Sequence, residues 1–189
     1  MKATKDRIIE VAIHHMKNVG QMSSLTMASI AQEANIGKST IYEYFENKAE
    51  VIQEAVKEIV DSYTNGFLEL EVTTFKDSFM RHMMYLLQAI EECRSFAMVV
   101  NREIRSMKVV SKEVVKLIMK SQEVYITRIM ELFQLGFVEN RLKSIITSDD
   151  YLIMGLINGV FGLFGSKQIE AKKEEIIENL YQTVIKIKG

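Results

Sequence analysis

Gly37, Lys38, Ser39 and Thr40 stand in a row, and a glycine, a cation and two hydroxyls are what a loop needs to cradle phosphate. That chemistry has a strict grammar. The nucleotide-binding version, G-x-x-x-x-G-K-[ST], places a further glycine five residues before Gly37, where this chain has Gln32, and it must follow a β-strand. The preceding stretch, LTMASIAQEAN, instead carries Met27, Ile30, Ala31 and Ala34 at helical spacing. These four residues serve something other than nucleotide hydrolysis.

The other reactive side chains are sparse. His14 and His15 are adjacent, so on a helix they point about 100° apart and cannot chelate one metal. His82 stands alone, and no Ser–His–acid constellation is spaced for nucleophilic catalysis. Cys93 is the single cysteine, which rules out an internal disulfide, suits a reducing compartment and reads as a small core residue. No enzymatic activity, metal or cofactor is expected.

The elements that must hold these residues are helices. The 189-residue chain has no proline, the residue that helix interiors exclude most strongly. Hydrophobic residues make up 48% and charged ones 26%, the balance of an ordinary globular chain with ample core. Net charge is −1, with six basic and five acidic residues in 1–48, so DNA binding would have to come from placed contacts rather than a bulk basic field. The N-terminus lacks a signal-peptide core, and the most apolar window, 151–165, is too short to span a bilayer and contains Asn158. A cytoplasmic location is expected.

Periodicity places a first helix over about 4–19, with Ile8, Ile9, Ala12, Ile13 and Met16 on one stripe. Thr26 caps a short second helix, Asn35 suits a left-handed turn, and a short third helix runs from about Lys38 to Tyr44. Asn47 and Glu50 form a capping-box-like start for a fourth helix reaching about Phe67. Longer helices follow over about 75–93, 96–107, 111–136, 148–166 and 169–187, with GFVENRLK (136–143) as a loop. Ser111 and Thr147 are the caps expected for two of them.

Two short helices joined by a tight turn and braced by an apolar first helix describe a helix-turn-helix. Ile41 and Phe45 face inward, which leaves Lys38, Ser39, Thr40, Tyr42, Glu43 and Tyr44 outward on the helix that would enter the major groove. Lys38 and Lys48 can neutralise phosphates, and Thr40 and Tyr42 can donate to phosphate oxygens. Ser39, Thr40 and Tyr44 are short or flat enough to reach base edges, and the helix start after Thr26 can grip another phosphate.

The stretch LTMASIAQEANIGKSTIYEYFENKAEVI (25–52) closely resembles the helix-turn-helix signature of the TetR family of bacterial transcriptional regulators. Thr26, Ile30, Ala31, Ala34, Ile36, Tyr42, Phe45 and Lys48 occupy the signature positions. The departures are Asn35 where glycine is usual, Ser39 where glycine is common and Tyr44 where histidine is frequent. The first keeps the turn chemistry, and the other two change the base-reading surface. The resemblance implies an all-α fold, with a three-helix DNA-binding head over 1–48 and a helical effector-binding and dimerisation domain over 49–189.

It also implies that the last two helices build a four-helix interface between two copies. The residues agree: Gly155, Gly159 and Gly162 make a ridge poor in side chains, flanked by Val160. Ile169, Ile176, Leu180 and Val184 offer a partner stripe. Under the same layout, Phe67, Met83, Met84, Leu87, Met107, Met119, Tyr125, Ile129 and Phe133 would line a cavity suited to a small apolar or amphipathic effector. The expectation is a homodimeric, ligand-responsive repressor on a near-palindromic operator. Two alternatives stay open: an all-helical binding protein or enzyme with a vestigial head, and an activator without a small-molecule effector.

Overall fold

The structure is a computed structural model that describes residues 3–18, 25–94, 112–143 and 149–189. Among them are eight helices: α1 (Thr4–Asn18), α2 (Met27–Glu33), α3 (Lys38–Tyr44), α4 (Lys48–Leu68), α5 (Phe75–Glu92), α6 (Lys112–Val138), α7 (Asp149–Gly165) and α8 (Lys173–Lys188). The expected helix over 96–107 and the expected caps Ser111 and Thr147 lie outside the described residues. No helix among the described residues is long and apolar enough to cross a membrane.

The chain forms two compact units. The first comprises Met1–Tyr63 with Glu92–Ser121, and the second Thr64–Glu91 with Gln122–Gly189. The expected head, residues 1–48, falls within the first unit.

In the first unit the α1 stripe is buried as the spacing demands: Ile8, Ala12 and Met16 are covered, and Ile9 and Ile13 partly so. They join Ile30, Ala31 and Ala34, Ile41 and Phe45, and Val51, Ala55 and Ile59 of α4 in one core. His15 Nε2 reaches both carboxylate oxygens of Glu33 at 2.8 and 2.9 Å, tying α1 to α2 at the surface. In the second unit Phe75, Phe79, Met83 and Leu87 of α5 pack with Ile129, Leu132 and Phe133 of α6. Ile153, Ile157 and Phe161 of α7 and Ile177, Leu180 and Val184 of α8 complete that core.

Three helices end in the same way without glycine. Asn35, Asn140 and Lys167 have φ of 53°, 57° and 57°, the left-handed conformation that reverses a chain after a helix. After α2 the Asn35 N–H donates to Gln32 O at 3.1 Å and the Ile36 N–H to Ala31 O at 3.0 Å, which satisfies two orphan carbonyls. After α6 the Asn140 N–H donates to Phe137 O and the Arg141 N–H to Gly136 O, at 2.9 and 2.8 Å. α6 runs to Val138 and so takes in the first three residues of the expected loop. Gly136 is there for close approach, not for a turn: a Cβ on it would meet Phe75 and Leu142 at 2.9 Å.

Candidate functional site

The reading head is built by its caps. Thr26 is extended (φ −125°, ψ 158°), and its hydroxyl accepts from the Ser29 N–H at 3.1 Å while Ser29 Oγ accepts from the Thr26 N–H at 3.0 Å. This reciprocal box starts α2, so the Thr26 side chain is engaged in positioning the helix. The Schellman turn at Ala34–Ile36 then swings the chain into α3, whose N-cap Gly37 is extended at φ −65°. α4 starts as its sequence suggests, with Asn47 Oδ1 accepting from the Glu50 N–H at 3.1 Å. The Glu50 carboxylate reaches back to the Glu46 N–H at 2.8 Å, one residue further upstream than the simple box.

On α3 the two faces separate cleanly. Ile41 and Phe45 are buried, whereas Tyr42 is 50% and Tyr44 43% exposed. Lys38, Ser39 and Glu43 are also exposed, Thr40 and Lys48 are half-buried, and Thr26 is exposed. At the α2–α3 turn a shallow open groove is lined by Ala28, Gln32, Asn35 and Lys38. A rigid short helix thus presents hydroxyls, phenols and a cation from a fixed backbone, the equipment for groove contacts and phosphate anchoring.

The expected effector residues are only partly brought together. Met83, Leu87, Ile129 and Phe133 are buried in the core of the second unit, and Met84 packs against it half-buried. Phe67 is buried in an aromatic group of its own, with His82 and Tyr125 edge-to-face at centroid distances of 4.9 Å each and Tyr85 at 6.2 Å. Tyr125 also meets the Thr64 hydroxyl at 3.3 Å. Met119 does not join them: it belongs to the first unit and is 59% exposed, because it stands roughly 140–160° round the helix from the buried Val114 and Ser121. Met107 lies outside the described residues.

His82 had no visible partner in the sequence, yet it is the most distinctive polar group of that core. It is fully buried, its Nδ1 lies 2.7 Å from Ser78 O, and its Nε2 has no hydrogen-bond partner among the described residues. Burial pushes its pKa below the ordinary histidine range; the hydrogen bond to Ser78 opposes this, and the charges of Arg128 and Arg81 reinforce it.

The expected interface residues divide. Cβ atoms added to Gly155, Gly159 or Gly162 would meet nothing within 4 Å among the described residues, so the glycine ridge faces open space. Around it Tyr151 is 85% and Leu152 66% exposed, with Leu156 and Leu163 exposed to lesser degrees. Tyr151 and Leu152 escaped the sequence reading because they precede the glycines. On α8 the expected partner stripe turns the other way: Ile176, Leu180 and Val184 are buried in the chain's own core. Val160 and Ile169 pack against that core half-buried. α8 has one strong apolar stripe, and its own subunit covers it.

Fold and head together define an all-helical protein with a helix-turn-helix DNA-binding unit. Residues 8–55 match the family model described as bacterial regulatory proteins, tetR family. Among solved structures it resembles a TetR/AcrR-family regulator from Thermobifida fusca, at 16% identity and TM-score 0.70, with 96% of each chain covered. It also resembles the fatty acid degradation regulator FadR from Bacillus halodurans, at 17% identity and TM-score 0.65, with 98% of this chain and 96% of that one covered. The superantigen PfiT is similar as well, at 19% identity and TM-score 0.72, with 97% and 96% covered. At these identities the likeness is one of fold. No curated protein matches the sequence.

Proposed function

We propose that this chain is a homodimeric, effector-responsive repressor that binds a near-palindromic operator in double-stranded DNA. The observation that carries the reading is the division of α3, with Ile41 and Phe45 sunk in the core and Tyr42 and Tyr44 held out beside Lys38, Ser39 and Thr40. Such a helix offers the major groove a pre-ordered surface, while Lys48 and the α2 start at Thr26 supply backbone anchoring.

The homodimer reading is supported by the outward face of α7, where exposed Tyr151, Leu152, Leu156 and Leu163 flank three glycines with open space over them. A second copy would bury this apolar face and bring two heads to two half-sites. An apolar or amphipathic effector held by the second unit would release DNA by favouring a conformation in which the heads no longer match the half-site spacing.

Selection of bound sequences from a random DNA pool tests the reading, and enrichment of a near-palindrome is expected. Tyr42→Ala and Thr40→Ala should each weaken operator binding by about 1–3 kcal/mol, and Lys48→Ala should also lower the salt slope by about one. A pool that yields no motif would defeat the proposal and leave the vestigial-head alternative standing.

A further inference from the structure

The core of the second unit contains a hydrogen-bond acceptor with nothing to accept from. A backbone carbonyl can only accept, so His82 Nδ1, 2.7 Å from Ser78 O, must carry the ring proton. Nε2 is then a bare lone pair, and it is buried without a partner. Buried acceptors left unpaired are costly and uncommon, so a donor from outside the chain, a water or a ligand hydroxyl, would be stabilised at this atom. The surroundings are aromatic, with the Phe67 ring edge-to-face at 4.9 Å and Tyr125 against Phe67 at the same distance.

We propose that His82 Nε2 is the polar anchor of an effector site in the second unit, and that it takes a neutral hydrogen-bond donor, an alcohol or phenol, on an apolar or aromatic body. The lone pair repels a carboxylate. The positive charges of Arg81 and Arg128, both felt at the ring, disfavour a cation. A neutral O–H satisfies the acceptor without bringing charge into an apolar core. Phe67 and its aromatic neighbours suit a flat body through edge-to-face contacts. This inference rests on the effector-responsive reading above.

The test uses the full chain, with p-cresol and its near-isostere p-xylene as probes by calorimetry, and p-toluate as the charged control. The hydroxyl should make p-cresol bind about five- to tenfold tighter than p-xylene, with p-toluate weakest. In His82→Phe that preference should vanish. The nitrogen resonance of His82 Nε2 in the wild-type protein supplies a second readout if the variant does not fold: it should start as an unbonded imine-type nitrogen and shift on adding p-cresol. Equal preference in wild type and variant overturns the site, as does a ligand-free Nε2 already hydrogen-bonded to water or a failure of p-cresol to bind at millimolar concentration. Operator affinity, measured alongside, separates the two claims. Binding of p-cresol at His82 with unchanged operator affinity overturns the effector reading and leaves the site. An effector that releases DNA equally well from wild type and His82→Phe does the reverse.

Discussion

The Tyr63 hydroxyl donates to Glu92 Oε2 over 2.6 Å, and the same phenolic oxygen accepts from Lys17 Nζ at 3.1 Å. One tyrosine in the C-terminal part of α4 thereby joins the end of α5 to the end of α1, all within the first unit. The Lys17 ammonium also lies 4.9 Å from the Tyr63 ring centroid. Burial first, and the bond to Glu92 second, push the ionisation of Tyr63 well above the ordinary tyrosine range, so it remains a donor at any working pH. Tyr63→Phe keeps the ring and removes both bonds, and should lower stability by about 1 kcal/mol in urea denaturation. No change in midpoint would show that water replaces the hydroxyl at no cost.

A second relationship spans the C-terminal helices. Lys188 is buried, its ammonium pairs with the buried carboxylate of Asp150, and it lies 5.3 Å from the Phe133 ring centroid. Asp150→Ala leaves that ammonium without its main counter-charge and should cost about 3–5 kcal/mol, whereas Asp150→Leu with Lys188→Met should be close to neutral. Denaturant midpoints make the comparison, a double-mutant cycle when Asp150→Leu and Lys188→Met are also measured singly, and a mild effect of Asp150→Ala would show that the pair is solvated.

His82 should make stability fall in acid. Its folded-state pKa is lowered by burial and by Arg81 and Arg128, so the unfolded chain takes up the proton first. Stability is therefore full above the unfolded pKa of about 6.5 and is lost as pH falls below it towards the folded value, with a slope of at most about 1.4 kcal/mol per pH unit. Denaturation of wild type and His82→Phe between pH 5 and 8 isolates this slope, since His14 and His15 drop out of the difference. Parallel curves would place the imidazole in contact with water.

At Gly159 the two roles of a residue can be separated by sign. Nothing among the described residues lies within 4 Å of a Cβ there, so Gly159→Ala should stabilise the isolated subunit by roughly 0.8–1.0 kcal/mol through helix propensity. If α7 meets a second copy, Gly159→Leu should instead weaken the dimer, since overpacking typically costs about 1–3 kcal/mol. Sedimentation over a range of concentrations reads the second effect and thermal unfolding the first. An unchanged association constant for Gly159→Leu would place the interface elsewhere.

Much of this protein is local, and what is local can be read from the sequence. The head follows from the stripe through Ile8, Ala12 and Met16, the Thr26 cap, the left-handed Asn35 and the inward Ile41–Phe45 pair, all set by neighbours within a few residues. Helix periodicity likewise predicts that α7 and α8 carry apolar faces. It cannot say what covers them, because a stripe looks the same whether its partner is the same chain or another. Only the tertiary structure shows Ile176, Leu180 and Val184 turned into their own core while Gly155, Gly159 and Gly162 face open space. Burial of a polar group is decided in the same way: His82 becomes an unpartnered acceptor because Phe67, fifteen residues earlier, closes over it. Lys188 finds Asp150 across thirty-eight residues. Spacing along the chain carries no trace of either, since packing between distant helices creates both.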